Sequence, residues 1–292
     1  MLAIVRSNKR PFFLFILPGL LIYIFIYIYP MLNGVFYSLT NWNGFGRTFS
    51  MVGLTNYVKT FTNMRFYRSL LFTLKYTFFL TVFANGLGLI LALILNRELK
   101  GKIFFRAMYF FPAILSMVTA GLIWNEIFYR IVPLFGEAIG SEVLSSNILG
   151  NAKLAGYGIL WVHVWQYTPQ AFVLFLAGLQ AIPSTIIEAA RIDGASPWQG
   201  FRYITVPYLI PIFEIVIVLT IKYGFVIFDY IIAMTNGGPG GATESLSILI
   251  YKLGFNEARF SAGCAMAVIM FVIIVGLSFT QISLLREREV IQ

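Results

Sequence analysis

The sequence predicts an all-α membrane protein that crosses the bilayer six times. Of its 292 residues, 59% are hydrophobic and only 11% are charged, whereas soluble domains carry about 25% charged residues. A helix needs about 20 predominantly apolar residues to cross the hydrocarbon layer, and six stretches of the chain reach that length. These expected spans are approximately residues 11–32, 70–95, 106–128, 157–179, 209–234 and 262–285.

The first apolar stretch, residues 11–32, follows three basic residues, as the apolar part of a secretion signal also does. It is longer than the apolar region of a signal peptide, which has about 7–15 residues. Its end, Tyr29-Pro30-Met31-Leu32, does not have the small residues of a cleavage site. We therefore expect a retained first span after a short N-terminal segment, residues 1–10.

The distribution of Lys and Arg predicts the orientation of the six spans, because these residues favour the cytoplasmic side. With the N-terminus inside, the turn between the second and third spans becomes cytoplasmic. That turn holds four cations in a short stretch, namely Arg97, Lys100, Lys102 and Arg106. We therefore expect residues 1–10, the loop 180–208 and residues 286–292 to be cytoplasmic.

The loop between the fourth and fifth spans carries signals for two capped helices. Thr185 and Glu188 have the spacing of a capping box, and Gly194 is placed to end the helix in a left-handed conformation. Ser196-Pro197-Trp198-Gln199 has the cap, the proline and the Gln of a second helix start. A plain connection needs no such order, so the pattern favours a docking surface. An ordinary helical hairpin at the membrane surface remains an alternative.

The same loop resembles the coupling loop of the permeases of binding-protein-dependent, ATP-driven (ABC) importers. The family pattern is Glu-Ala-Ala, three residues, Gly, nine residues, then Ile-x-Leu-Pro, and Val206 replaces the usual Leu here. The matching residues are Glu188, Ala189, Ala190, Gly194, Ile204 and Pro207. The resemblance implies a type I importer permease fold, in which this loop sits in a cleft of a separate cytoplasmic ATPase. It also implies that Glu188 and Asp193 make polar contacts with the ATPase, while the small residues allow close approach.

Other segments resemble the maltose-type carbohydrate branch of that family in its shorter, six-span form. They are Val52 to Tyr57, Leu179 to Pro183, and Phe228 to Gly240. The resemblance implies a multi-pass subunit of a bacterial inner membrane that transports a sugar, oligosaccharide or polyol. The partners it implies are a second permease, most often in a heterodimer, two copies of the ATPase, and an extracytoplasmic substrate-binding protein. ATP and Mg²⁺ would be bound by the ATPase, so this chain would need no cofactor.

The sequence contains no motif for ATP hydrolysis and no set of catalytic residues. The single Gly-Lys pair, Gly101-Lys102, is followed by Ile103 rather than by Ser or Thr, so it is not a P-loop. One His and one Cys do not suggest a metal site or catalysis. Cations at the membrane faces explain the net charge of +9 without a nucleic-acid partner. Gly237 to Gly241 form either a turn on which a binding protein rests or a simple tight turn.

Polar residues within the expected spans are candidates for a substrate pathway, because such residues are costly in the membrane. In the fifth span, Lys222 and Asp229 fall on the same side of one helix as Glu214. In the fourth span, aromatic and amide side chains suited to sugars recur one turn apart. The candidates there are Trp165, Gln166, Tyr167 and Gln170. The alternatives are a buried structural pair in the fifth span and a packing stripe in the fourth.

Two other functions remain open on the sequence alone. An ion-coupled secondary carrier for a polar solute would use Glu214, Lys222 and Asp229 as a relay and would need no ATPase. A membrane-embedded enzyme would place its site among the polar residues of the fourth and fifth spans. Neither function explains the ordered loop at residues 185–207.

Overall fold

A computed structural model describes residues 9–97 and 100–286 of the chain. Most of the two predicted cytoplasmic termini, residues 1–10 and 286–292, lies outside the described residues. Among the described residues, the only β-type pairing is an isolated bridge between Thr40 and Met51. All the regular secondary-structure elements there are helices. The prediction of an all-α fold is therefore confirmed.

Eleven helices longer than four residues organise the described part of the chain. We number them in chain order: α1 (residues 9–38), α2 (Thr55–Phe61), α3 (Met64–Leu95), α4 (Lys102–Ile114), α5 (Met117–Ala138), α6 (Ala155–Gln180), α7 (Ser184–Ile192), α8 (Pro197–Phe225), α9 (Asp229–Met234), α10 (Leu246–Asn256) and α11 (Phe260–Arg286). Four of them, α1, α3, α8 and α11, are long and apolar enough to cross a membrane alone. Counting α4 with α5, and α6 with α7, as bent spans gives up to six among the described residues.

The helices differ from the expected spans where the chain bends. The expected third span, 106–128, falls on two helices that meet at 94° between Ile114 and Met117. The expected fifth span, 209–234, is a helix that ends at Phe225, and α9 follows as a separate element. Ser247 Oγ donates to the carbonyl of Phe225, and Ser245 Oγ donates to that of Ile227, each at 3.0 Å. These side chains satisfy backbone groups that the break leaves without a helical partner, which irregular backbone at membrane depth requires.

The chain packs as two units, which are described separately. The first contains the described residues up to Thr62 together with Ile250–Ile269. In it, the end of α1 meets the start of α11: Thr40 Oγ1 and Ser261 Oγ are 3.0 Å apart, and the Ser261 N–H donates to the carbonyl of Trp42. The ring of Trp42 packs on Tyr37 and Phe260. This unit is therefore held together by polar and aromatic contacts at one end of its long helices.

The second unit, Asn63–Leu249 and the chain from Met270 onward, is built around α6. One hydrophobic cluster joins α6 to α3, α5 and α9, and another joins it to α3 and α8. The helices approach closely at glycines: a Cβ added to Gly88 would lie 2.8 Å from that of Ala171, and one added to Gly178 would lie 2.7 Å from a side-chain carbon of Ile212. Small residues at helix contacts allow such packing within membranes. The buried helix α6 thus fixes the positions of α3 and α8.

Candidate functional site

The first half of the coupling loop is the helix α7, which ends at the predicted glycine. Gly194 has a φ of +78°. The Ala195 N–H donates to the carbonyl of Ala190 at 2.9 Å, as in the common glycine-terminated helix end. The predicted left-handed helix end at Gly194 is confirmed. The capping box predicted at Thr185 is wrong, because the helix starts one residue earlier, after Pro183, and no side chain caps it.

The second half of the loop begins with the predicted capping box. The Gln199 N–H donates to Ser196 Oγ at 3.3 Å, and the Ser196 N–H donates to Gln199 Oε1 at 2.7 Å. The helix continues through Pro207. A π-helical turn, Phe201–Thr205, precedes the proline, and the chain remains helical to Phe225. Such turns relieve the clash that a proline introduces into a helix. The second loop helix and the next long helix are therefore one element, α8.

The loop is an exposed structure with several apolar side chains at its surface. None of the residues of α7 is buried, and Ile192 is 86% exposed. Trp198 and Tyr203 at the start of α8 are also exposed. Of the predicted coupling residues, Glu188, Ala189, Asp193 and Gly194 lie on the exposed surface, and Ala190, Ile204 and Pro207 are half-buried. Large exposed apolar side chains on an ordered loop are typical of an interaction surface, so the loop has the character of a docking surface.

A cavity of about 610 Å³ lies beneath this loop. Ala190 of α7 and Ile204 of α8 line it, together with Leu93 and Arg97 from the end of α3. The two halves of the loop and the end of α3 therefore share one surface. A displacement of α7 would change the shape of this cavity, which α8 also lines.

Among the intramembrane candidates, Gln166 is engaged within the chain. Its Nε2 donates to the carbonyl of Leu115 at 2.6 Å, and its Oε1 accepts from Tyr230 OH at 2.7 Å. Leu115 lies at the bend between α4 and α5, where its carbonyl has no helical role. Gln166 thus ties that bend to α6 and α9. The packing alternative describes this residue better than a sugar contact.

The other candidates of α6 divide between buried and exposed positions. Tyr167 is buried, and its OH lies 3.4 Å from Thr220 Oγ1 of α8. Trp165 packs edge-on against Trp124 of α5. Gln170 is exposed on the surface of α6. Of the four, Gln170 is the one whose side chain is freely presented outside the chain's own packing.

Lys222 and Asp229 line a common cavity of about 180 Å³ at the break between α8 and α9. Because the helix breaks between them, they do not share one helical face, and that part of the sequence interpretation is wrong. The Lys222 ammonium lies 5.7 Å from the centre of the Tyr223 ring. Glu214 is separate from this cavity, and its backbone carbonyl accepts from Gln281 Nε2.

His163, the single His of the sequence, also lines this cavity. Its Nδ1 is 3.0 Å from Tyr76 OH, and its Nε2 is buried without a hydrogen-bond partner. In the sequence, His163 lies one helical turn before Tyr167, and this spacing could have indicated that it shares a helix face with the pathway candidates. Among the described residues, no group of three or more His, Cys, Asp or Glu is placed to hold a metal ion.

Comparisons with known proteins identify the class to which this architecture belongs. Residues 84–289 match the family model described as "Binding-protein-dependent transport system inner membrane component". The chain therefore belongs to the family of inner membrane components of binding-protein-dependent transport systems. The resemblance predicted from the coupling loop is confirmed, and so is the role as an importer permease in a membrane.

Two curated relatives match over nearly their full length. The chain is 40% identical over 283 residues, 97% of this chain and 98% of the relative, to "Multiple sugar-binding transport system permease protein MsmF" of Streptococcus mutans. It is 33% identical over 284 residues, 97% of each chain, to "Probable starch degradation products transport system permease protein AmyD" of Thermoanaerobacterium thermosulfurigenes. These relatives are named as permeases, and they give no support to an ion-coupled carrier.

A solved structure shows the same fold. It is a chain of a bacterial alginate ABC transporter in complex with an alginate pentasaccharide-bound periplasmic protein, with a TM-score of 0.81, 21% identity, and 97% of each chain covered. At this identity the likeness establishes the fold. The predicted importer permease fold is therefore confirmed.

Proposed function

We propose that the chain is one of two permease subunits of an ATP-driven importer for a sugar or oligosaccharide. It forms the translocation pathway together with a second, similar permease in a heterodimer. An extracytoplasmic binding protein delivers the substrate, and two copies of a cytoplasmic ATPase drive the cycle. The observation that carries this proposal is the coupling loop, which is capped, ends in a left-handed glycine and exposes apolar residues that its own chain does not cover.

The ATPase is the partner that this surface fits best. Ile192 and Trp198 are large apolar residues on either side of Gly194, and both are mostly exposed. Glu188 and Asp193 flank them with carboxylates, and Ala189 leaves room for a close approach. ATP and Mg²⁺ are bound by the ATPase, so this chain needs no cofactor and performs no hydrolysis. The loop, the N-terminus and the C-terminus lie in the cytoplasm of a bacterial cell.

The helix α8 provides a mechanical connection from the coupling loop to the intramembrane cavity. It has 29 residues without a break and is therefore roughly 43 Å long at 1.5 Å per residue. It starts at the capping box of Ser196 and ends just past Lys222. When ATP binding draws the two ATPases together, a movement of α7 is transmitted through the Gly194 turn to α8. The far end of α8 then changes the cavity that Lys222, Asp229 and His163 line.

A sugar is the substrate class that the relatives and the site support. The two curated relatives are named for sugars and for starch degradation products. Lys222 and Asp229 offer hydrogen-bonding groups in a cavity that aromatic residues also line, which suits a sugar, and Gln170 adds an exposed amide. Trp165, Gln166 and Tyr167 support the pathway indirectly, because their contacts hold α6 against its neighbours.

Purification of the full complex in mild detergent tests the proposal. We expect an ATPase and a second permease to co-elute with this chain. We also expect the ATPase activity of the reconstituted complex to rise when its binding protein is loaded with a transported sugar. A chain that purifies without an ATPase and accumulates solute in response to an ion gradient would overturn the proposal.

A further inference from the structure

The short helix α2 has its polar side chains turned toward the protein and its apolar ones turned away. Asn56 and Thr60 face inward, and Thr60 is 2% exposed. Leu54, at the start of the helix, is 66% exposed, and Val58 is 62% exposed. A surface helix in water shows the opposite arrangement, with its apolar side against the core. The outward face of α2 is therefore suited to an apolar environment.

The exposed apolar residues of this segment form one row. Leu54 and Val58 are four residues apart and so lie on the same side of the helix. The half-exposed Phe61 follows three residues after Val58, and Met51, which precedes the helix and pairs with Thr40, is also exposed. These four side chains make up the exposed apolar row of this segment.

The polar side of α2 is fixed to the end of α1. Asn56 Nδ2 donates to the carbonyls of Ser38 and Thr40 at 2.8 and 2.7 Å. The last carbonyls of a helix lack partners within the helix, and Asn56 supplies them here. Tyr57 OH adds a 2.7 Å hydrogen bond to Ser38 Oγ. These contacts hold α2 at the level where α1 ends.

An apolar stretch of membrane length ends at that level. Leu14–Ser38 is an apolar stretch of membrane length, and none of its most apolar window is buried within the described chain. The rings of Tyr37 and Trp42, 4.4 Å apart, lie at its end, where aromatic belts form at membrane interfaces. The exposed row of α2 therefore continues the exposed apolar surface of α1.

We propose that α2 is a membrane-interface anchor whose row of Met51, Leu54 and Val58 is buried among the lipids of the leaflet in which α1 ends. Lys59 lies beside this row and is exposed, so its ammonium can reach the phosphate groups of the lipid headgroups while its stem follows the apolar surface. The segment is fixed to α1 on one side and to the bilayer on the other. This role is independent of the ATPase and the substrate, and it goes beyond the proposed function.

Spin-label accessibility in the intact transporter tests the anchor. The full chain with its co-purifying subunits is placed in nanodiscs of phosphatidylethanolamine and phosphatidylglycerol, in a Cys264→Ala background that removes the single native cysteine. Nitroxides are attached to Leu54→Cys and Val58→Cys. Thr55→Cys is the matched control, because Thr55 is exposed on another side of the same helix.

Collision rates with oxygen, which concentrates in hydrocarbon, and with a water-soluble nickel complex give the result. We expect oxygen to dominate at positions 54 and 58 and nickel to dominate at position 55. Nickel access at 54 and 58 would show a water-facing strip and would overturn the proposal. Immobile labels shielded from both reagents would overturn it as well, because a second permease or a binding protein would then cover the strip. The two positions report independently, so failure of one variant to assemble leaves the other decisive.

Discussion

The coupling loop and α6 both carry polar side chains, but most of those of the loop are exposed and most of those of α6 are buried. Glu188, Asp193 and Ile192 of the loop are exposed and are left uncovered by the chain's own fold. Gln166 of α6 is buried, and both ends of its amide bond to other parts of the same chain. The loop thus has surface available for a partner, while α6 uses most of its polar groups to hold the fold. Burial and bonding partners, rather than residue type, separate the two roles.

The largest expected effect comes from breaking the turn of the loop. We expect Gly194→Leu to abolish solute uptake while membrane insertion remains normal. A side chain at this left-handed position costs roughly 1–2 kcal/mol in backbone strain. Apart from its chain neighbours, no described residue lies within 4 Å of an added Cβ, so the added bulk would mainly obstruct a partner. Uptake assays and membrane blots measure the two outcomes.

Gly200→Ala is the matched control for the loop variant. Gly200 lies in the same loop, has helical φ and ψ, and also has open space around an added Cβ. Its uptake is expected to equal that of the wild type. Normal uptake by Gly194→Leu would remove the coupling role from this turn.

A smaller effect is expected from Gln166→Leu in α6, and it should be on stability. The substitution leaves the carbonyl of Leu115 and the hydroxyl of Tyr230 without these hydrogen bonds, which costs about 1–3 kcal/mol for a buried group. Thermal unfolding of the purified complex measures the loss. Gln170→Leu, at an exposed position of the same helix, is expected to leave the unfolding temperature unchanged. Equal unfolding temperatures for both variants would contradict the structural role of Gln166.

The smallest expected effect is a difference in helix capping between the starts of α7 and α8. We expect Ser196→Ala to destabilise the start of α8 by about 1 kcal/mol, the usual value for loss of a helix cap. Thr185→Ala should have no such effect, since Thr185 caps nothing. Hydrogen exchange compares them, at the backbone amide of Gln199, which the Ser196 hydroxyl protects, and at that of Glu188, which a cap by Thr185 would protect. Faster exchange in the Thr185 variant alone would reverse this assignment.

Local features of the fold could be predicted from the sequence, and distant contacts could not. The cap at Ser196 and the left-handed Gly194 follow from short-range chemistry, and both are present. The partner of Gln166 is Leu115, 51 residues away, and no spacing rule identifies such a pair. The break after Phe225 also depends on serines about 20 residues further along the chain. The capping box predicted at Thr185 is absent because the first helix of the loop starts directly after Pro183, and no hydroxyl caps it.

The central claim is that the coupling loop receives the force of an ATPase, and crosslinking at Ile192 tests it most directly. A photoreactive phenylalanine analogue at Ile192, the most exposed apolar residue of α7, is irradiated in membranes that carry the active transporter. The same analogue at Phe25 of α1, also exposed, serves as the control. The account predicts an adduct with an ATP-binding polypeptide from position 192 and none from position 25. An active transporter whose position 192 forms an adduct with lipid or with an extracytoplasmic protein, and none with an ATPase, would contradict it.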